Sequence, residues 1–417
     1  MKLILFLKKF TNFLENSDSL KKYNTWIVSK YAIPREFNFG SRHFEFAFEF
    51  TQSNRSTLVI TSNSNHLLGK TKPILAKTYN FIESESGIPT IWINSINYNS
   101  ASSIKRIISW IDFEIKLLIL CVILKSPDNV IISSLPLTSI ISGYFLKLKG
   151  SKFILEIRDI WPLTLTDLGG HSKHNPLVYS LSILEKFGYK NADEIVGIMP
   201  NLKQHLVELG INRDVKCIPQ GFREIPEIQN ESRLQDLENK FIVTYAGSIG
   251  LTNNLGALFE VINLFRENNN IFFIILGDGE LLEEYQKNNL NKNVFFGGRV
   301  PKKQVPEYLD ISDVVYDSVM PKGIYNYGLS RNKWIDYMLA AKPLIISYYG
   351  FQSMLNEAEC GYYIPSNSAN DLYNLLYKLV SEDKKLDLKM MGLNGQRWII
   401  KNRHFQKLSQ NYITILR

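Results

Sequence analysis

The sequence predicts an α/β protein built from two doubly wound, Rossmann-like domains in tandem. Short β-rich runs alternate with helical-length segments from residue 25 onward, the pattern of parallel sheets covered by helices. The polar stretch EIPEIQNESRLQDLENK, Glu224 to Lys240, interrupts that alternation once and has the charge and lack of aromatics of a linker or surface connection. A chain of 417 residues with 45% hydrophobic composition can fill two full-sized cores.

In chain order, TWIVSKY, TLVITS, TIWIN, NVIISS, KFILEI, DEIVGIM and VKCIP read as the strands of a first unit. FIVTYAG, IFFIILG, NVFFGG, DVVYDS, PLIIS and GYYIP read as those of a second. The expected division is an amphipathic extension over 1–22, a first domain over 23–222 and a linker over 223–240. A second domain over 241–395 and a C-terminal helix over 396–417, positioned to return to the first domain, complete it.

The net charge of +8 and a pI near 9.0 favour an anionic partner: nucleic acid, a lipid surface or a phosphorylated small molecule. Lysines and arginines are dispersed along the chain, which argues against nucleic acid. Cys121, Cys217 and Cys360 lie far apart in apolar settings and read as buried thiols of a reduced, cytosolic compartment. The longest apolar run, IKLLILCVIL from Ile115 to Leu124, is too short to span a bilayer. The opening run MKLILFLKKF is short for an export signal. Leu3, Phe6, Leu7, Phe10, Phe13 and Leu14 share helical spacing beside Lys2, Lys8 and Lys9. Such a segment suits a membrane interface or the surface of its own domain, and both readings stand.

Doubly wound sheets bind ligands at the carboxyl ends of their strands. In the first unit those ends carry Gly40, Arg42 and His43, then the run Arg158-Asp159-Ile160-Trp161-Pro162. Ordinary turn chemistry accounts for Gly40 as well as a site does, and an ion pair fixing a loop accounts equally for Arg158 and Asp159. In the second unit, Gly247, Ser248 and Gly250 stand between a strand and a helix, where free backbone amides hold phosphate. Gly277 and Gly279 follow the next strand, and Gly298, Arg299 and Val300 the third. YGLSRNKWIDYMLAAKP then sets Lys333 three residues ahead of Asp336 at a helix start. Taken alone, that pair reads as a surface i,i+3 contact. His171 and His174 are spaced HxxH in a loop with no nearby carboxylate or cysteine, so no metal site is expected.

In the order of these motifs the chain resembles glycosyltransferase family 4 of the GT-B fold, in particular its bacterial O-antigen and capsular polysaccharide branch. The resemblance runs from about Tyr23 over nearly the whole chain. EIRDIWPLTLTDLG is similar to the RD-x-WP element of that branch, and NFGSRHFEFAFEF resembles its first glycine loop. CIPQGF resembles the turn that closes the first domain, and YAGSIG, LGDGE, FFGGRVP and YGLSRNKWIDYMLAAKP its donor loops.

The resemblance implies two domains facing across a cleft, the C-terminal one holding the donor and the N-terminal one the acceptor. It implies metal-independent transfer, with retention, of a sugar from a nucleotide diphosphate to a hydroxyl. The expected donor is a UDP-sugar. The expected acceptor is a saccharide, lipid-linked at the cytoplasmic face of the inner membrane, and no cofactor is implied. Asp336 matches the second glutamate of the family's Glu-x7-Glu motif and would accept the ribose hydroxyls. Lys333 would neutralise the diphosphate, helped by a helix N-terminus that Ser330 and Asn332 cap. Arg158 would reach the same cleft, so Arg158, Asp159 and Lys333 are the catalytic candidates. Arg42, His43 and Trp161 are those of the acceptor side, with Asp159 and His43 both open as the base. The motif's first glutamate falls at Gly328. The positions where many relatives carry arginine and lysine correspond to Leu251 and Asn253, which shifts phosphate binding onto Lys333, Arg158 and Arg331. A sugar-nucleotide-binding relative that is an epimerase or a non-catalytic partner is the alternative.

Overall fold

The computed structural model describes residues 20, 22–37, 41–65, 68, 73, 75, 77–98, 103–228, 237, 239–289, 291–382 and 385–417. Residues 1–19 of the amphipathic extension expected over 1–22, Gly40 and half of the linker expected over 223–240 lie outside the described residues. The chain divides into two compact units, one of residues 1–219 with 405–417, the other of residues 220–404.

In unit 1 the strands are β1 (Thr25–Val28), β2 (Thr57–Ser62), β3 (Tyr79–Glu83), β4 (Pro89–Ile93), β5 (Asn129–Ser133), β6 (Lys152–Ile157), β7 (Glu194–Gly197) and β8 (Lys216–Cys217). The helices are α1 (Arg42–Gln52), α2 (Ile104–Ile123), α3 (Ile140–Leu148), α4 (Leu163–Asp167), α5 (Pro176–Asn191) and α6 (Leu202–Glu208). The sheet order is β3-β4-β2-β1-β5-β6-β7-β8. All pairs are parallel except β3 with β4. β1, β2, β5 and most of β6 are buried on both faces, so their centres read as apolar runs. The edge strand β3 was not expected: it buries one residue in five and shows no such run. Helix starts follow their caps, Ser103 accepting from the Lys105 amide and Asn175 from that of Leu177 ahead of Pro176.

Unit 2 contains β9 (Phe241–Ala246), β10 (Ile271–Leu276), β11 (Val294–Gly298), β12 (Val314–Ser318), β13 (Leu344–Ser347) and β14 (Gly361–Ile364). Its helices are α7 (Gly256–Leu264), α8 (Leu282–Asn288), α9 (Val305–Asp310), α10 (Asn332–Leu339), α11 (Met354–Ala358), α12 (Ala369–Ser381) and α13 (Lys385–Arg403). The order β11-β10-β9-β12-β13-β14 is parallel throughout. The chain leaves β9 toward β10 on one side and returns to β12 on the other. The switch point therefore lies at the carboxyl ends of β9 and β12, where such sheets bind ligands.

The helix expected over 396–417 is two helices. α13 ends at Arg403 in unit 2, and α14 (Phe405–Ile413) rejoins unit 1. There Phe405 and Tyr412 meet Phe46 edge-on, with ring centroids 5.4 and 4.8 Å apart. Burying each such ring stabilises by roughly 1.5–3 kcal/mol. Cys121 and Cys360 are buried as expected, but Cys217 is exposed, because the two-residue β8 is an edge strand of the sheet.

Candidate functional site

At the switch point of unit 2, three loops are laced together by their backbones. The Gly247 amide donates to the Leu276 carbonyl at 2.9 Å, that of Ile249 to Asp278 at 2.9 Å and that of Gly277 to Gly298 at 2.7 Å. Gly277 has φ +140°, and a Cβ there would overlap the Gly247 carbonyl oxygen, so no other residue fits. Gly247, Ser248, Gly277, Asp278, Gly279 and Arg299 line an open cavity of about 390 Å³. Five of these six were expected donor-site residues. Val300, also expected there, packs instead beside Ile242, Ile274 and Leu276.

Below the Gly247 loop lies a buried carboxylate that sequence reasoning missed. Asp317, next to last in β12, has no side-chain solvent exposure and is shared by two cations. Lys333 Nζ stands 3.0 Å from its Oδ1 and Arg331 Nη1 3.1 Å from its Oδ2, and the Trp334 indole donates to Oδ2 at 2.6 Å. Two cations on one carboxylate leave a net positive charge in a nearly dry setting. Lys333 also donates to the Tyr245 hydroxyl at 3.1 Å and lies 4.5 Å from the centroid of that ring. Its ammonium presses against Gly247, where a Cβ would collide with Nζ. Burial brings its pKa down to about 8, an effect that Asp317 partly opposes.

Arg331 donates to the Asn253 side-chain oxygen and to the Ser318 carbonyl. A guanidinium thus stands beside position 253, which itself bears no charge. Asp336, one turn along α10, lies half-buried 3.9 Å from Lys302, just beyond Arg299 and Val300. Burial raises its pKa, and Lys302 opposes this. Capping by Ser330 and Asn332 is not observed. Arg331 is the N-cap without a side-chain bond, Asn332 is the first helical residue, and the Ser330 hydroxyl accepts from the Gln220 amide at 2.9 Å. At Gly328, φ +88° and ψ 173° define a conformation that effectively only glycine adopts. A glutamate at 328 would therefore need a different backbone.

In unit 1, Arg158 and Asp159 follow β6. The Arg158 amide donates to Ser134 Oγ at 3.2 Å, and its buried Nε has no protein acceptor among the described residues. Trp161 packs edge-on to Trp110 at 5.6 Å. Arg106, absent from the expected site, stacks over Tyr31, Trp110 and Trp161 with its guanidinium 5.1 to 5.8 Å from each ring. Arg42 and His43 do not face an acceptor. Both are buried against Glu156 in the interior, at 3.1 and 3.3 Å. Arg42 also donates to the carbonyls of Ile218 and Pro219, and burial lowers the His43 pKa. They begin α1 on the side that packs inward, which spacing alone did not reveal.

Residues 227–398 match the family Glycosyl transferases group 1. A probable glycosyltransferase, WbjE of Pseudomonas aeruginosa, is 23% identical over 256 residues, 58% of this chain and 62% of that protein. The matched region thus spans less than two thirds of that relative. Among solved structures, sucrose-phosphate synthase (tll1590) from Thermosynechococcus elongatus has TM-score 0.67 at 13% identity, covering 94% of this chain and 97% of its own. Anabaena Alr3699/HepE in complex with UDP has TM-score 0.63 at 13% identity, with 94% and 98% covered. An E. coli trehalose-6-phosphate structure bound with UDP-2-fluoro glucose has TM-score 0.68 at 12% identity, with the same shares covered. The fold is GT-B. The residues that match the glycosyl transferases group 1 family lie within unit 2.

Proposed function

We propose that this protein is a retaining glycosyltransferase that moves a sugar from a nucleotide diphosphate sugar, a UDP-sugar in the first instance, to a saccharide hydroxyl. The acceptor is lipid-linked, and the product belongs to a surface polysaccharide. The observation that carries the reading is the Lys333 ammonium, held by Asp317 and Tyr245 against Gly247 at the edge of the glycine-lined cavity. A departing nucleoside diphosphate accumulates negative charge as the bond from the anomeric carbon breaks. A cation already fixed and desolvated where that charge develops lowers the barrier without reorganising. The Asp278 and Gly279 turn and Arg299 line the rest of the donor cavity. Asp336 stands past the third strand end for the ribose hydroxyls. The group 1 match over unit 2 and the UDP complexes of the structural relatives support the same donor.

The test is binding of nucleoside diphosphates and UDP-sugars to the intact protein, Lys333→Ala and Asp336→Ala, with and without EDTA. Micromolar binding that survives EDTA and is lost in both variants is expected. If no nucleotide binds, the reading falls. The glycine conformation at 328 favours one alternative, a sugar-nucleotide binder that epimerises or assists. That alternative predicts nucleotide binding and UDP-sugar turnover to an epimer, or no turnover, whatever saccharide is offered.

A further inference from the structure

α2 is apolar on both of its faces. Trp110, Phe113, Leu117 and Leu120 pack into unit 1. On the other side Ile104, Ile108, Ile111, Ile115 and Val122 are exposed, Ile104 to 74% and Val122 to 64%. At 3.6 residues per turn these five fall within an arc of about 60°, an unbroken outer stripe. A helix that is apolar all round is normally buried.

The stripe continues sideways. α2 packs on α3 and α3 on α5, and these contribute exposed Ile141 and Leu148, then Tyr179 and Ile183. The connections through α2, α3 and α5 all run the same way across the sheet, from β4 toward β7. Right-handed crossovers therefore put the three helices on one face. A contiguous apolar face of this extent marks an interaction surface. Its border is basic, with exposed Lys105, Lys125, Lys186 and Lys190. Of the acids nearby, Asp112 and Asp193 are paired with Lys116 and Lys147 at 2.8 and 2.7 Å, Glu114 and Glu185 are buried, and Asp128 is exposed three residues past Lys125.

We propose that this three-helix face seats on the surface of an anionic lipid bilayer. Branched aliphatic side chains and a tyrosine flanked by lysines suit the boundary between acyl chains and acidic headgroups, where lysine stems lie along the apolar layer and their ammonium groups meet phosphate. No helix among the described residues is long and apolar enough to cross a membrane, so the attachment is interfacial. The inference rests on the proposed function only for the lipid-linked acceptor that such seating would bring within reach. Its test reads binding without any donor, so the two readings fail separately.

The test is co-sedimentation of the full chain with vesicles of phosphatidylethanolamine and phosphatidylglycerol, against vesicles of phosphatidylcholine alone. The double variant Ile108→Glu/Ile115→Glu is compared with the intact protein. Circular dichroism and UDP binding serve as folding controls, since neither residue lies in the donor site. At least tenfold weaker binding to neutral vesicles, and at least a tenfold loss in the variant, are expected. No binding by the intact protein, or equal binding by the variant, overturns the assignment, the second result placing attachment elsewhere, for instance in residues 1–19. If the intact protein is a dimer that the variant dissolves, the face joins two copies and the lipid reading is wrong.

Discussion

Each unit contains a buried carboxylate that gathers two basic groups, Glu156 and Asp317, and the two clusters differ in what surrounds them. In unit 1, Glu156 holds Arg42, His43 and the Tyr412 hydroxyl, with the ion-paired side chains at most 2% exposed. Burial alone would raise its pKa, but Arg42 and His43 more than reverse this and hold it well below the usual carboxylate range. In unit 2, Asp317 holds Lys333 and Arg331, which keep 15% and 21% exposure. Arg42 also donates to the Ile218 and Pro219 carbonyls, whereas Lys333 lies against a glycine beside an open cavity. Similar chemistry makes a staple where the basic groups are fully buried and a candidate site where one lies beside a cavity.

The largest test of that contrast is Glu156→Ala. Removing one member of a fully buried ion cluster is expected to cost about 3–5 kcal/mol of stability, read by urea denaturation. Nucleotide affinity of the folded protein should be unchanged, and a collapse of affinity with intact stability would make the Glu156 cluster a site. Lys333→Ala should do the reverse. It lowers kcat/KM by about 10²–10³-fold, the usual loss on removing one preorganised charge-stabilising donor, while the unfolding midpoint barely moves because Arg331 and Trp334 still hold Asp317. Gly247→Ala should weaken nucleotide binding about tenfold, because the added methyl displaces the ammonium without removing it, and calorimetric titration reads this directly.

The smallest effect is on pH. If the proposed site holds, the nucleotide meets the charged form of this lysine, so affinity should fall as pH rises through about 8, by at most about tenfold per unit. Lys333→Arg should flatten that profile. Stability moves the other way. The folded pKa lies below that of a free lysine, so the unfolded chain holds the extra proton between about 8 and about 10.4, and the Lys333 contribution to stability rises with pH across that window.

Both sheets were legible because strands buried on two faces carry near-continuous apolar runs, as LVI within TLVITS and the whole of IFFIIL. β3 was not, since an edge strand with little burial carries no such signature. The glycine turns announced the cavity, because backbones that approach as closely as Gly277 and Gly247 exclude side chains. Asp317 was hidden within DVVYDS and Glu156 within KFILEI, each read only as a strand. A single acid inside an apolar strand run was the available signal, since a buried carboxylate must find basic partners. What spacing could not supply was which arginine pairs inward, hence the misplacement of Arg42 and His43.

The return of α14 to unit 1 sets an order on the ribosome. Phe405, Leu408, Tyr412 and Ile415 belong to the same core as Phe46 and Phe50, and the Arg417 amide donates to the Asn129 side chain at 2.8 Å. These residues emerge only after the whole of unit 2 has been synthesised. Domains usually fold in the order in which they are translated. In this chain the second unit can close first, while the first waits with its aromatic seam open for the helix that completes it.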